Sequence, residues 1–151
     1  MSEINKSATI EASIEKVFDF VDDPEKIPKY VPNVERVEDV KRSDKRIGDS
    51  FRVIYKVLGV TFDEKFTVTE YQRPSHTQSN FEGGMNGTFS WTFESEGPST
   101  MANVSVKYEL AGGPLGKAID ALVLERANEK TIERMLQNMR QAIAQQAVSM
   151  G

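Results

Sequence analysis

Residues 115–149, LGKAIDALVLERANEKTIERMLQNMRQAIAQQAVS, decide the fold of this chain. The stretch has no proline, has glycine only at Gly116, and is rich in Ala, Leu, Glu, Arg, Gln and Met, which favour helix. We predict one helix of roughly 33 residues, about 50 Å long. Such a helix is longer than a simple helix-on-sheet layer requires, so we expect a wide sheet beneath it. A broad curved sheet closed by one long helix encloses space, which predicts a cavity.

The residues before this helix alternate between apolar and polar types, which predicts strands. After a first strand, two short helices are predicted, one that starts at Ser13 or its neighbour and ends at Asp22-Asp23-Pro24, and one over residues 25–30. Strands are predicted at residues 4–11, 34–41, 49–57, 60–72, 76–82, 85–94 and 100–110. Consecutive strands joined by tight turns form an antiparallel meander, and the long helix is the obvious cover for its inner face.

Composition and charge restrict the range of functions. With 151 residues the chain is predicted to form one domain, residues 1–151. Its net charge of -4 and its pI of about 5.1 disfavour nucleic acid as a partner. No apolar run is long enough for a membrane span, no signal peptide is recognised and cysteine is absent, so we expect a cytoplasmic protein. His76 is the only histidine, no metal site and no cofactor are predicted, and a weak homodimer is left open.

Glu64 is the sharpest candidate for chemistry. Strand alternation places it on the same face as Phe62 and Phe66, where a lone carboxylate is costly and tends to take up a proton. Arg126, or alternatively Lys130, on the covering helix could pair with it. We expect Glu64 and Arg126 to form a polar pole that orients a ligand or supplies acid–base chemistry, so both are candidate catalytic residues. The alternatives are a bulge that turns Glu64 outward and a plain structural salt bridge.

Aromatic side chains occupy the alternating strand positions that face the inside of the predicted sheet. As a set they exceed what a helix of this composition covers, which leaves room for an apolar guest. Leu122 belongs to the apolar stripe of the predicted helix. The predicted ligand-binding residues are Phe51, Tyr55, Phe62, Glu64, Phe66, Phe89, Trp91, Tyr108, Leu122 and Arg126.

Three segments carry a family resemblance: ATIEASIEKVFDFVDDP at residues 8–24, IPKYVPNV at residues 27–34 and YELAGGPLG at residues 108–116. Together they resemble the polyketide cyclase/dehydrase and lipid-transport superfamily, also called SRPBCC. The resemblance implies a START-like helix-grip domain of the α+β class. Its antiparallel seven-stranded curved sheet wraps around a long C-terminal helix, with two short helices after the first strand, over an apolar cavity. The resemblance also implies ligands such as lipids, sterols, quinones or polyketides, because members bind these molecules, and some members cyclise or dehydrate aromatic intermediates.

Three functions remain open at this point. The leading hypothesis is binding or transport of a small hydrophobic ligand, such as a lipid, quinone, sterol or polyketide-like molecule, between the sheet and the C-terminal helix. The alternatives are a polyketide cyclase or dehydratase that uses acid–base groups in the same cavity, and a protein-interaction module without a ligand. The scarcity of histidine weighs against an enzyme, although Asp, Glu and Tyr also transfer protons.

Overall fold

The first elements along the chain are one strand and a pair of short helices. A computed structural model describes residues 2–111 and 119–150. Its first elements are strand β1 (Ser2–Ile10), helix α1 (Ile14–Asp22), a 3-10 turn (Pro24–Lys26) and helix α2 (Ile27–Tyr30). The Ser13 hydroxyl accepts the Lys16 N–H and caps α1, and the Asp23 carboxylate caps the 3-10 turn. Ser13 therefore begins the first short helix and Asp23 begins the 3-10 turn that leads into α2, which has no side-chain cap of its own; the two short helices after the first strand are as predicted.

Six further strands complete one curved sheet. They are β2 (Val34–Lys41), β3 (Ser50–Val57), β4 (Val60–Gln72), β5 (His76–Glu82), β6 (Met85–Glu96) and β7 (Ser99–Leu110). All neighbouring pairs are antiparallel, and the strand order is β1-β7-β6-β5-β4-β3-β2. β1 therefore lies beside the last strand, while the other six form a meander in chain order. The predicted α+β helix-grip fold, with its seven-stranded antiparallel sheet, is confirmed.

The long C-terminal helix, α3 (Ala121–Met150), has 30 residues. The Asp120 carboxylate accepts the N–H groups of Leu122 and Val123 at 2.9 and 3.1 Å, which satisfies the first donors of this helix. Ile119 and Asp120 are not helical, so the prediction of one continuous helix from residue 115 is wrong at its start. The predicted first turn and the glycine-rich residues before it fall in residues 112–118, outside the described residues. None of the described helices is long and apolar enough to cross a membrane.

The core fills the part of the interior nearest to α1. Phe18 of α1 is fully buried and meets Tyr71 and Phe93 edge to face, with ring centroids 5.4 and 5.9 Å apart. From the other side, α3 contributes buried side chains at helical spacing: Ile132, Met135, Leu136, Met139 and Ile143. Each such side chain contributes about 1.5–3 kcal/mol through burial. Ile132 and Met135 of this set also line a space that side chains leave open between the sheet, α2 and α3.

Candidate ligand-binding cavity

A cavity of about 180 Å³ lies between the inner face of the sheet, α2 and α3. Its wall is made mostly of apolar and aromatic side chains from alternate strand positions, as expected where one face of a sheet points inward. The wall residues before β3 are Ile4, Val21, Asp22, Ile27, Tyr30, Val31 and Val34. The sheet from β3 onward contributes Phe51, Val53, Tyr55, Val57, Glu64, Phe66, Val68, Thr77, Ser79, Phe81, Met85, Phe89, Trp91, Val106 and Tyr108, and α3 contributes Asn128, Thr131, Ile132 and Met135.

Glu64 lines this cavity although only 1% of its surface is exposed to solvent. Its Oε2 accepts the Met85 N–H at 2.8 Å, and its Oε1 accepts the Tyr55 hydroxyl. Burial raises the pKa of Glu64 to about 7, against the lowering effect of these two hydrogen bonds. The carboxyl group is therefore present in both protonation states near neutral pH. No register shift interrupts the pairing of β3 with β4, so the alternative of a bulge that turns Glu64 outward is wrong.

Tyr108 brings a second phenol to the same region. Only 3% of the residue is exposed, and its hydroxyl has no hydrogen-bond partner among the described residues. Burial is the main reason why the pKa of Tyr55 is raised. The Glu64 charge and the nearby Tyr108 raise it further. From α3, the Asn128 amide faces Met85 Sδ at 3.7 Å. We call Tyr55, Glu64, Tyr108 and Asn128 the polar end of the cavity.

Asp22 is the second carboxyl group of the wall. The Tyr71 hydroxyl donates to it at 3.0 Å, and the guanidinium groups of Arg46 and Arg42 lie 3.6 and 3.8 Å away. Burial raises the pKa of Asp22, and the Tyr71 hydrogen bond and the two arginines oppose this effect. The charge of Asp22 is therefore compensated from outside the cavity, whereas Glu64 has only neutral donors.

Comparison with known proteins agrees with this geometry. A family model described as polyketide cyclase / dehydrase and lipid transport matches residues 1–144. The chain belongs to the polyketide cyclase/dehydrase and lipid-transport family. A comparison with curated proteins gave no match.

Solved structures show the same helix-grip fold as this family member. A protein from Thermus thermophilus is 21% identical, with a TM-score of 0.78 over 95% of this chain and 97% of that one. A START superfamily protein from Mycobacterium smegmatis is 16% identical, with a TM-score of 0.79 over 95% and 97% of the two chains. A major latex-like protein from Panax ginseng is 13% identical, with a TM-score of 0.69 over 93% and 96%. At these identities the likeness shows the fold alone.

Seven of the ten predicted ligand-binding residues line the cavity of this polyketide cyclase/dehydrase and lipid-transport family member. They are Phe51, Tyr55, Glu64, Phe66, Phe89, Trp91 and Tyr108. Phe62 is fully buried but does not line the cavity. It pairs directly with Tyr55 across the strands, and the two rings stack 5.5 Å apart, so Tyr55 forms the wall and Phe62 belongs to the core. A role of the seven residues in ligand binding stays a prediction.

The two helix residues that were predicted to bind ligand face away from the cavity. Leu122 is 57% exposed, and Arg126 is also exposed and absent from the cavity wall. Leu124, between them, is 1% exposed and faces inward. Residues two positions away on a helix lie about 200° around its axis, so Leu122 and Arg126 face outward. The expected Glu64–Arg126 pole is therefore wrong; Tyr55 and the Met85 N–H are the partners of Glu64, and exposed Lys130 does not replace Arg126.

Several wall residues were not predicted from the sequence, most clearly on α3. Asn128 and Thr131 are polar, so they did not enter an apolar stripe, yet both line the cavity. Helical spacing could have identified the inward face. Four residues before Ile132 on the same face is Asn128, and eight residues before it is Leu124. On the sheet, Phe81 and Met85 lie at alternating inward positions of β5 and β6.

Proposed function

We propose that this protein binds one small hydrophobic molecule in the cavity and holds the polar group of that molecule at the polar end. The single observation that carries the proposal is the hydroxyl of Tyr108. It is buried in a largely apolar wall and has no partner among the described residues. Buried hydroxyls are nearly always paired, so we expect a side-chain adjustment on binding to bring this hydroxyl within reach of an oxygen atom of the guest. Membership in the polyketide cyclase/dehydrase and lipid-transport family supports the same function.

Volume and wall chemistry indicate the kind of guest. An engineered apolar cavity of roughly 150 Å³ binds benzene, and the volume here is about 180 Å³. The rings of Phe66, Phe89 and Trp91 line the cavity and offer faces and edges to a flat molecule. A compact ring compound with one polar oxygen fits both observations.

Trp91 provides a direct test, because it lines the cavity and is the only tryptophan of the chain. Native mass spectrometry after gentle purification, followed by organic extraction, is expected to reveal a co-purifying molecule. Titration of the emptied protein with that molecule, or with 2-naphthol as a probe, is expected to release heat and to change Trp91 fluorescence.

Two serine variants separate cavity binding from surface adsorption. Ser79→Phe places a ring inside the cavity from β5 and is expected to abolish binding. Ser90→Phe adds the same ring on the outward side of β6, between inward-facing Phe89 and Trp91, and is expected to bind as the wild type does. Equal binding by both variants, or no binding of any apolar probe to the wild type, contradicts the proposal.

A second candidate function is acid–base catalysis, and the protonation behaviour of Glu64 favours it. A carboxyl group whose pKa is about 7 can both accept and donate a proton at neutral pH. A cyclase or dehydratase is expected to lose turnover of a polyketide-like substrate in Glu64→Gln while it still binds that substrate. A carrier shows no turnover in either form. The cavity supports these two functions over an interaction module without a ligand.

A further inference from the structure

We infer that the cavity selects neutral ligands over anionic ones, and that Glu64 is the residue that determines this preference. The inference rests on the proposed function, because it names the chemical class of the guest. That class is an apolar ring compound whose polar group is an uncharged hydroxyl or carbonyl.

The charges of the wall have one sign only. Asp22 and Glu64 carry carboxyl groups, and the described wall residues include no Lys, Arg or His. Arg42 and Arg46 lie near Asp22 but stand outside the wall and face that carboxylate. An anionic head group in the cavity therefore meets no compensating cation among the described wall residues, and an uncompensated buried charge is expensive.

A further cation, on β1, is already paired with carboxylates of the helix. Lys6 of β1 lies 3.1 Å from Glu129 and 3.2 Å from Glu133 of α3. These two hydrogen bonds hold the pKa of Lys6 above its usual value, so the ammonium group is committed to the helix. Lys6 is also absent from the cavity wall. It does not provide a site for a ligand carboxylate.

The polar end favours a neutral oxygen for a separate reason. Tyr108 lines the cavity and has an unpaired, buried hydroxyl, which can donate to a carbonyl or hydroxyl oxygen after a side-chain adjustment exposes it. Both oxygens of Glu64 are already held by donors from β3 and β6, which fixes its carboxyl group in place. A ligand carboxylate placed beside it would put two like charges into an interior where water does not screen them. A neutral ligand avoids this repulsion.

Two probes of different charge test the inference. At pH 8, 2-naphthol is neutral and 2-naphthoate is an anion, and both carry the same ring system. Calorimetric titration of the wild type is expected to show 2-naphthoate binding at least tenfold more weakly than 2-naphthol, a lower bound because a buried charge without a partner costs more than tenfold in affinity. Equal affinities overturn the inference while leaving the proposed function intact. If neither probe binds, both the inference and the proposed function are wrong.

Glu64→Gln and a matched carboxylate variant identify the responsible residue. Glu64→Gln is expected to shrink the affinity ratio of the two probes at least threefold, because the like-charge contribution is gone. The control is Asp63→Asn, the neighbouring carboxylate on the outward face of β4, where it pairs with Arg52. Its ratio is expected to equal that of the wild type. An unchanged ratio in Glu64→Gln overturns the role of Glu64.

A pH series on the wild type keeps the test independent of how well the variant folds. This series uses 2-naphthalenesulfonate as the anion, because a sulfonate stays ionised whether free or bound and 2-naphthol stays neutral between pH 5.5 and 8, so any change in their affinity ratio belongs to the protein. The titratable groups around Glu64 are Tyr55 on β3, Tyr108 on β7 and Asp63 beside it, while Asn128 on α3 is neutral. The preference for 2-naphthol is expected to grow as the pH rises and Glu64 ionises. A ratio that is constant over this range overturns the role of Glu64.

Discussion

The Tyr55 hydroxyl on β3 donates a hydrogen bond to Glu64 Oε1 on β4, inside a wall that is otherwise mostly apolar. The Met85 N–H at the start of β6 holds the other carboxyl oxygen at 2.8 Å. Neutral donors stabilise the ionised carboxylate without cancelling its charge, so burial still dominates and the pKa of Glu64 rises to about 7. A buried carboxyl group that titrates near neutral pH makes both stability and ligand preference depend on pH.

The first prediction concerns stability against pH in Glu64→Gln. In the folded protein the pKa of Glu64 is about 7, against a reference value of 4.5. Between these values the native state holds a proton that the unfolded state has released, so stability falls as the pH rises. The contribution of the protonated group is complete below about pH 4.5 and is lost as the pH passes about 7, by about 3 kcal/mol in total.

Denaturant unfolding of both forms at a series of pH values measures this effect. The free energy of unfolding of the wild type, minus that of Glu64→Gln, is expected to decrease from pH 5 to pH 8. Other carboxyl groups titrate in both proteins and cancel in the difference. A difference that stays flat over this range would falsify the assignment of the raised pKa to Glu64.

The second prediction is that Tyr108→Phe separates stability from binding. The Tyr108 hydroxyl has no described partner, so its removal relieves a desolvation cost and is expected to stabilise the empty protein by about 1 kcal/mol. The same change removes the proposed donor to the ligand and is expected to weaken 2-naphthol binding about fivefold or more. Thermal unfolding and calorimetry measure the two effects.

Tyr55→Phe is the matched control for Tyr108→Phe. Its hydroxyl is paired with Glu64, so its removal is expected to destabilise the protein above pH 7 and to raise the pKa of Glu64 further. If both Tyr→Phe variants changed stability in the same direction, the distinction between the paired and the unpaired hydroxyl would be wrong.

Local sequence signals were sufficient to predict most of the sheet. β4 was predicted at its observed bounds because the Leu58-Gly59 turn before it requires positive φ, observed at 53° and 77°, and Arg73-Pro74 ends it. The start of α3 was not predicted. Composition favoured helix through residue 120, but the Asp120 side chain competes for the backbone donors and caps the helix there.

The candidate site was predictable on the sheet and not on the helix. A period of two fixes the face of each residue from its neighbours, so Glu64 was correctly placed beside Phe66. On α3 an apolar stripe followed from its N-terminal end gave Leu122, whereas the stripe followed back from Ile132 gives Leu124. We expected a positively charged partner for Glu64. Its partners are instead the phenol of Tyr55 and the N–H of Met85. The position of Met85 beside Glu64 depends on the pairing of β5 with β4 and β6.

The third prediction is that Arg126→Met leaves the cavity unaffected. Arg126 is exposed and lies outside the wall, so affinity for 2-naphthol is expected to stay within about twofold of the wild type. The pH dependence of stability is likewise expected to match the wild type, because the partners of Glu64 are on β3 and β6. Leu122→Gln, which is also exposed, serves as the companion variant. If the pH midpoint of the stability change shifted in Arg126→Met, Glu64 and Arg126 would form an ion pair after all, against the observed geometry.

The fourth prediction concerns Gly87, which pairs with Tyr108 across β6 and β7. A Cβ atom on Gly87 would lie 1.9 Å from the Lys107 carbonyl oxygen and 2.8 Å from Tyr108 Cα, both backbone atoms that cannot yield without moving β7. Gly87→Ala is therefore expected to destabilise the protein by about 2 kcal/mol or more. Because the displaced strand carries Tyr108, affinity for 2-naphthol is expected to fall as well.

Gly97→Ala is the control for this close approach. Gly97 has a φ of 63° and no atom within 4 Å of its Cβ position, so alanine there costs only backbone strain, about 1 kcal/mol. It lies in the turn between β6 and β7, far along the strands from Tyr108, and is expected to leave ligand affinity unchanged. Chemical unfolding and calorimetric titration of both variants compare the two costs. If Gly87→Ala were no more damaging than Gly97→Ala, the close approach of β6 to β7 at Gly87 would not be what fixes Tyr108 in the cavity wall.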